Sequence, residues 1–177
     1  SRDSLARQSE ALDARRQSAG FDGLADELFA VASLLEYQHQ LRMALADSGQ
    51  PLAVREGLVR EILGGKVSEL AVSVMVGIVG ERWSNDDDLL MAIEQLADQV
   101  VFTVAEADGT LDEADDELFR FGRALDQSPE LQMALTSPAQ PSATKSAIVH
   151  DLLDGRSTSA TRQVLEYAVG HLHGQRI

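Results

Sequence analysis

The 177-residue sequence contains no cysteine. Disulfide staples and thiolate chemistry are therefore excluded. It is poor in positive charge: 15 Lys and Arg stand against 29 Asp and Glu, a formal net charge of −14. That balance repels phosphate backbones and anionic lipid, so neither nucleic-acid binding nor direct membrane contact is expected. No apolar run reaches the ~18 residues of a membrane span. The longest, residues 70–79, is shorter and is interrupted by Ser73 and Gly77. Residues 1–20 are polar and charged, unlike a secretory leader. No stretch sustains the apolar–polar alternation of a half-buried strand. A chain of this length can still bury about 70% of its unfolded surface, so it needs no staple. The first residue is Ser rather than Met, and we read the sequence as a piece of a longer chain.

A repeat organises the chain. Residues 41–66 read LRMALADSGQPLAVREGLVREILGGK, and residues 131–156 read LQMALTSPAQPSATKSAIVHDLLDGR. The offset is 90 residues, without gaps. It begins upstream, where Asp26-Glu27-Leu28-Phe29 matches Asp116-Glu117-Leu118-Phe119. It fades through Val74 and Val164, Val79 and Val169, and Gly80 and Gly170. Over 26–80 against 116–170 there are 18 identities in 55 pairs, which points to a tandem duplication.

Apolar spacing predicts an all-α protein of about ten helices. The first spans residues 5–18. The next, 24–37, carries Leu24, Leu28, Val31, Leu34 and Leu35 on one face, with Asp22 as its cap. A short helix at 41–46 follows. Pro51 fits the first turn of its successor, which ends at Gly64-Gly65. Residues 67–79 are almost wholly apolar and should form a central helix. Leu89, Ile93, Leu96, Val100 and Val104 predict a long helix stopped by Asp108-Gly109. Further helices are expected at 113–125, 130–136, 141–153 (with Pro141 in its first turn) and 158–172. The expected organisation is two bundles of one kind, 1–88 and 89–177. The long helix 89–107 is shared: it closes the first and opens the second. A sixth helix of the second bundle would lie beyond Ile177.

Several motifs suggest chemistry, and each fails a requirement. Gly65-Lys66-Val67-Ser68 lacks the upstream glycine of a phosphate loop, and Val67 replaces its Ser or Thr. In the stretch from Glu106 to Asp112, a calcium loop would need its first ligand at Val104. Asp86-Asp87-Asp88 fits acids at a helix N-terminus. Ser142-Ala143-Thr144-Lys145 has the Ser-x-x-Lys spacing without companion motifs. His171 and His173 are two apart on a helix and face different ways; His39 and His150 have no partner in sequence. Nothing assembles a nucleophile, a base and an oxyanion site. No catalysis, metal or cofactor is expected.

Longer strings carry a family resemblance. Asp116-Glu117-Leu118-Phe119-Arg120-Phe121-Gly122-Arg123, then Pro129-Glu130-Leu131 with Ala134-Leu135, then Leu152-Leu153-Asp154-Gly155-Arg156, resemble the N-terminal helical domain of the δ subunit of F-type ATP synthase. The mitochondrial counterpart is the oligomycin-sensitivity-conferring protein. Leu24-Ala25-Asp26-Glu27-Leu28 and Glu81-Arg82-Trp83-Ser84 resemble the long δ chains of actinobacteria, which mycobacteria fuse behind a b-type stalk subunit. Most δ subunits have one six-helix domain; here it is doubled. Their usual C-terminal α/β domain is absent and is expected to follow.

The resemblance implies a non-catalytic stator subunit at the cytoplasmic face of the bacterial plasma membrane. It would clamp the catalytic head to the b-type stalk, so that rotor torque drives ATP synthesis. It also implies that an N-terminal helix of an α subunit lies in a groove between a bundle's first and fifth helices. The matching residues are Leu96, Val100 and Val104 with Val164, Leu165 and Ala168 in the second copy. In the first they are Leu5 and Leu12 with Leu70, Val74, Met75 and Ile78. Any bundle core needs the same apolar faces, so core and groove stay open for each. The alternatives are a generic duplicated helical scaffold, or an all-α domain with an internal ligand pocket.

Overall fold

The computed structural model describes residues 1–153 and 156–172, and every regular element among them is an α-helix. The helices are α1 (Arg2–Asp13), α2 (Phe21–Tyr37), α3 (His39–Ala46), α4 (Leu52–Leu63), α5 (Glu69–Val79), α6 (Asp86–Asp108), α7 (Leu111–Asp126), α8 (Pro129–Thr136), α9 (Ser142–Leu153) and α10 (Ser159–Gly170). The chain divides into two compact units, Ser1–Val100 and Val101 onward, with the division inside α6.

Local chemistry explains where the elements start and stop. Helix α1 ends at Asp13, not Ser18, and residues 14–17 form turns. The apolar stripe stops at Leu12, so nothing beyond it holds another helical turn against the unit. Gly20, at φ +88°, caps α2; this left-handed conformation suits glycine, and it places Asp22 inside the first turn rather than at the cap. Helix α3 begins at His39 and α7 at Leu111, each two residues before the expected start. Helix α5 begins only at Glu69, because Ser68 caps it through Oγ to the Ala71 N–H at 3.1 Å. Pro51 and Pro141 each sit one residue before a helix rather than in its first turn. Their carbonyls accept the first intrahelical bonds, from Arg55 at 3.3 Å and Lys145 at 3.1 Å. The missing proline N–H costs nothing there either. Helix α10 ends at Gly170, before Leu172.

In the first unit α2 packs on α3, α3 on α4, α4 on α5, and α5 back on α2. In the second α7 packs on α8, α8 on α9, α9 on α10, and α10 back on α7. Helices α8 and α9 begin and end 90 residues after α3 and α4. The first core includes Leu24, Leu28, Leu35, Leu45, Val59, Met75 and Val79, all buried. The second joins Phe121, Leu125, Leu135, Val149, Leu165 and Val169. Full burial of each such side chain contributes roughly 1.5–3 kcal/mol.

One polar tie recurs. The Glu27 carboxylate accepts the Ser68 hydroxyl at 2.7 Å and its backbone N–H, joining α2 to the start of α5. The Glu117 carboxylate accepts the Thr158 hydroxyl at 2.7 Å, its N–H at 3.0 and 3.1 Å, and the Thr161 hydroxyl at 2.9 Å. Each acid sits where a helix N-terminus presents unpaired N–H groups and favourable potential.

Candidate helix-accepting grooves

The expected groove residues fall in different surroundings. On α5, Met75 belongs to the interior; with Val31, Leu35, Leu45, Val59 and Leu63 it borders a residual space of about 10 Å³. That holds at most about one water, whereas a ligand pocket takes about 300–1,000 Å³. Val74 and Ile78 are buried, and Leu70 is half-buried. On α1, Leu12 is buried and Leu5 half-buried. Leu96 and Val100 belong to the first unit and are buried. Val104, in the part of α6 that belongs to the second unit, is half-buried. On α10, Leu165 joins the second core. Val164 and Ala168, one turn apart, are both half-buried. These two leave apolar area within reach of a partner.

Sequence reasoning missed the seam along α5. Ser73, Gly77 and Glu81 recur every fourth residue, and α1 lies along them. Arg15 Nη1 donates to Ser73 Oγ at 2.7 Å, and Arg7 Nε to the Glu81 carboxylate at 3.0 Å. Ser4 Oγ donates to the Arg82 carbonyl at 2.8 Å. On α6, Gln99 accepts the Ser9 hydroxyl at 2.7 Å and donates to the Ser9 carbonyl at 3.0 Å. The signal was present as Ser73 and Gly77 interrupting an otherwise apolar run, with Glu81 at the same spacing just past the end of α5.

The motif candidates have structural work. Asp86 pairs with the buried Arg42 at 2.8 Å, and Asp87 lies 3.6 Å from it. That hydrogen bond holds the Asp86 carboxyl below its ordinary range. Asn85 Oδ1 accepts the Asp88 N–H at 2.8 Å, capping α6. Ser142 Oγ donates to the Gly170 carbonyl at 3.2 Å, while Lys145 is buried. The His171 ring stacks on Tyr167 at 4.0 Å; His173 lies outside the described residues, as do Asp154 and Gly155. His39 Nδ1 is 2.9 Å from Arg42 Nη2, and His150 Nδ1 is 3.9 Å from Glu166. Two acids are shifted further. Burial, reinforced by Glu94, pushes the Asp98 carboxyl up to about 6. Burial alone would raise Glu117, but the hydrogen bonds from Thr158 and Thr161 outweigh it and hold this acid low. Among the described residues no three His, Asp or Glu side chains cluster as metal ligands, and no helix is long and apolar enough to cross a membrane.

Comparison with known proteins gives concordant matches. Residues 98–172 match the family model for the ATP synthase delta (OSCP) subunit. An ATP synthase subunit delta of Parafrankia sp. (strain EAN1pec) is 44% identical over 146 residues, 82% of this chain and 52% of the relative. That of Streptomyces avermitilis is 38% identical over the whole chain and 66% of its own length. That of Streptomyces coelicolor is 40% identical, again over the whole chain and 65% of its own length. This chain thus spans about half to two thirds of the relatives it matches.

Proposed function

The chain belongs to the ATP synthase delta (OSCP) subunit family, and from that premise we propose that it is the helical part of a stator subunit of F-type ATP synthase. It has no chemistry of its own in this reading. It clamps the catalytic head to the peripheral b-type stalk, on the cytoplasmic face of the plasma membrane, so that the head stays still while the rotor turns. The observation that carries the reading is identity of 38–40% along the whole chain to proteins named ATP synthase subunit delta.

We further read the two halves as tandem copies, 1–88 and 89–177, sharing the helix 89–107. Support comes from the ungapped offset, the same packing order of four helices in each unit, and the recurring tie from Glu27 to Ser68 and from Glu117 to Thr158. A duplicated module offers two places for α-subunit helices. In the second unit we assign one to the α10 face of Val164 and Ala168, flanked by Leu165, with Val104 from the same unit. Large anchors on an inserted helix would each gain roughly 1.5–3 kcal/mol by burial there, less the cost of ordering.

The test is capture of the catalytic head by the full-length protein, with and without Ala168→Trp. The indole would occupy the space the half-buried alanine leaves. The expected result is head capture by the unaltered protein, and an affinity for the α N-terminal peptide at least about tenfold weaker in the variant, or about 1.4 kcal/mol. A full-length protein that leaves the head in solution would refute the stator reading. Unchanged affinity in a folded Ala168→Trp protein would move the surface off α10.

A further inference from the structure

A cleft in the second unit lies where the first unit is filled. It holds about 300 Å³, the lower bound for a small-ligand site. Phe121, Ala124, Leu152 and Leu153 form its apolar wall. Ninety positions earlier stand Val31, Leu34, Ile62 and Leu63, which border the residual space of about 10 Å³ in the first unit. The same four places therefore enclose a packed core in one unit and an open cleft in the other. Phe121 is larger than Val31, but it is buried in the second core and leaves the cleft open. Ala124 works the other way: it offers a methyl where Leu34 has an isobutyl group.

The other lining groups are polar, and two of them are new to this unit. Arg120 stands where the first unit has Ala30, and Ser157 where it has Val67. Arg156 corresponds to Lys66 and Glu117 to Glu27. The Ser157 hydroxyl oxygen is buried and has no hydrogen-bond partner among the described residues. A buried hydroxyl without a partner is costly, and a ligand oxygen would relieve it. The Glu117 carboxylate already accepts the donors of Thr158 and Thr161. Arg120 Nη2 lies 2.9 Å from Asp116, but the two side chains are 67% and 64% exposed, so that pair is weak. Among the lining groups two arginines stand with one carboxylate, an excess of one positive charge in a chain of net charge −14. A monoanion balances that excess, whereas a dianion would be repelled more strongly by Glu117.

We propose that this cleft binds a carboxylate carried beside a branched apolar group. Arg120 and Arg156 hold the carboxylate by charge-assisted hydrogen bonds. The Ser157 hydroxyl donates to it, and Ala124, Leu152 and Leu153 take the apolar group. A free branched-chain acid and the C-terminal residue of a peptide share this chemistry. The site is independent of the stator role.

NMR titration of the isotope-labelled chain tests this. The probes are N-acetyl-leucine, a glycine–serine hexapeptide ending in leucine, the C-terminal amide of each, and inorganic phosphate. Both acids are expected to shift the backbone signals of α7, Leu152, Leu153, Arg156 and Ser157 saturably, with a Kd of about 1 mM or below. The amides and phosphate should bind at least about tenfold more weakly. Ala124→Leu and Arg120→Ala each install the residue the first unit carries. Each should keep its circular-dichroism melt and weaken both acids at least about tenfold, or about 1.4 kcal/mol; should one fail to fold, the other decides. A hexapeptide at least about tenfold tighter than N-acetyl-leucine would identify a chain terminus as the ligand, and equal or weaker binding a free acid. Acids that leave these signals unmoved would overturn the site. So would amides or phosphate binding as tightly, or unchanged affinity in a folded variant.

Discussion

Replacing Glu117 by Ala removes the acceptor of three donors at the start of α10: the Thr158 N–H, the Thr158 hydroxyl and the Thr161 hydroxyl. A hydrogen bond to a charged group contributes about 1.5–3 kcal/mol when well buried. This carboxylate is only half-buried, so about 1 kcal/mol per donor is the better scale. The expected loss for Glu117→Ala is about 2–4 kcal/mol. In a chain of this size each kcal/mol lowers Tm by about 2–4 °C, giving a fall of roughly 4–16 °C in a circular-dichroism melt at pH 7. Glu117→Gln keeps one carbonyl oxygen but turns an amide N–H₂ toward donors, and should fall between the two. The pH dependence gives a sharper check. Hydrogen bonding holds the Glu117 pKa below its ordinary value, so the contribution is fully present above the unfolded value near pH 4.3. It is lost as pH drops through the lower folded pKa. The gap between wild type and variant should stay constant from pH 8 to about 5 and close below about 4. A gap missing at pH 7, or undiminished at pH 3, would refute the argument.

The shift at Asp98 has the opposite sign. Its folded pKa is raised to about 6, so the native state binds the extra proton between about pH 4 and 6 and stability declines across that window. Asp98→Asn should therefore stabilise the protein by about 1–2 kcal/mol at pH 7.5, with no gain near pH 4; equal effects at both, by urea titration, would rule this out. The buried Arg55 guanidinium donates to the Val79 carbonyl at the end of α5 and to the Gln50 carbonyl at 3.4 Å. Arg55→Met keeps the stem but strands those acceptors, so its urea midpoint should drop by the equivalent of about 1.5–3 kcal/mol; an unchanged midpoint would show that water serves them as well. Arg55→Lys should recover part of the loss, since Lys145 is the buried residue 90 positions on.

The helices themselves were legible because the information is local. Leu24, Leu28, Val31 and Leu35 recur at helical spacing, and all four are buried. Gly64-Gly65 and Asp108-Gly109 stop helices where turn chemistry says they should. The 90-residue offset could be read without coordinates, since it compares the chain only with itself. The misplaced starts do not share one cause: Ser68 caps α5 through its side chain, whereas α2, α3 and α7 begin without a side-chain cap bond. Asp22 had the right chemistry for a cap, yet Gly20 took the place because the chain turns there at positive φ. Glu27 and Glu117 each lie 41 residues before the hydroxyl they hold. No local pattern pairs groups so far apart, and only folding brings them within 3 Å. The same limit applied to the groove. Apolar periodicity selects the buried face of a helix without saying what buries it, so Met75 in the interior and Val164 at the edge look alike in sequence. Only tertiary packing separates them, because Met75 is enclosed with Val31, Leu35, Leu45, Val59 and Leu63 from other helices, whereas Val164 stays half-buried.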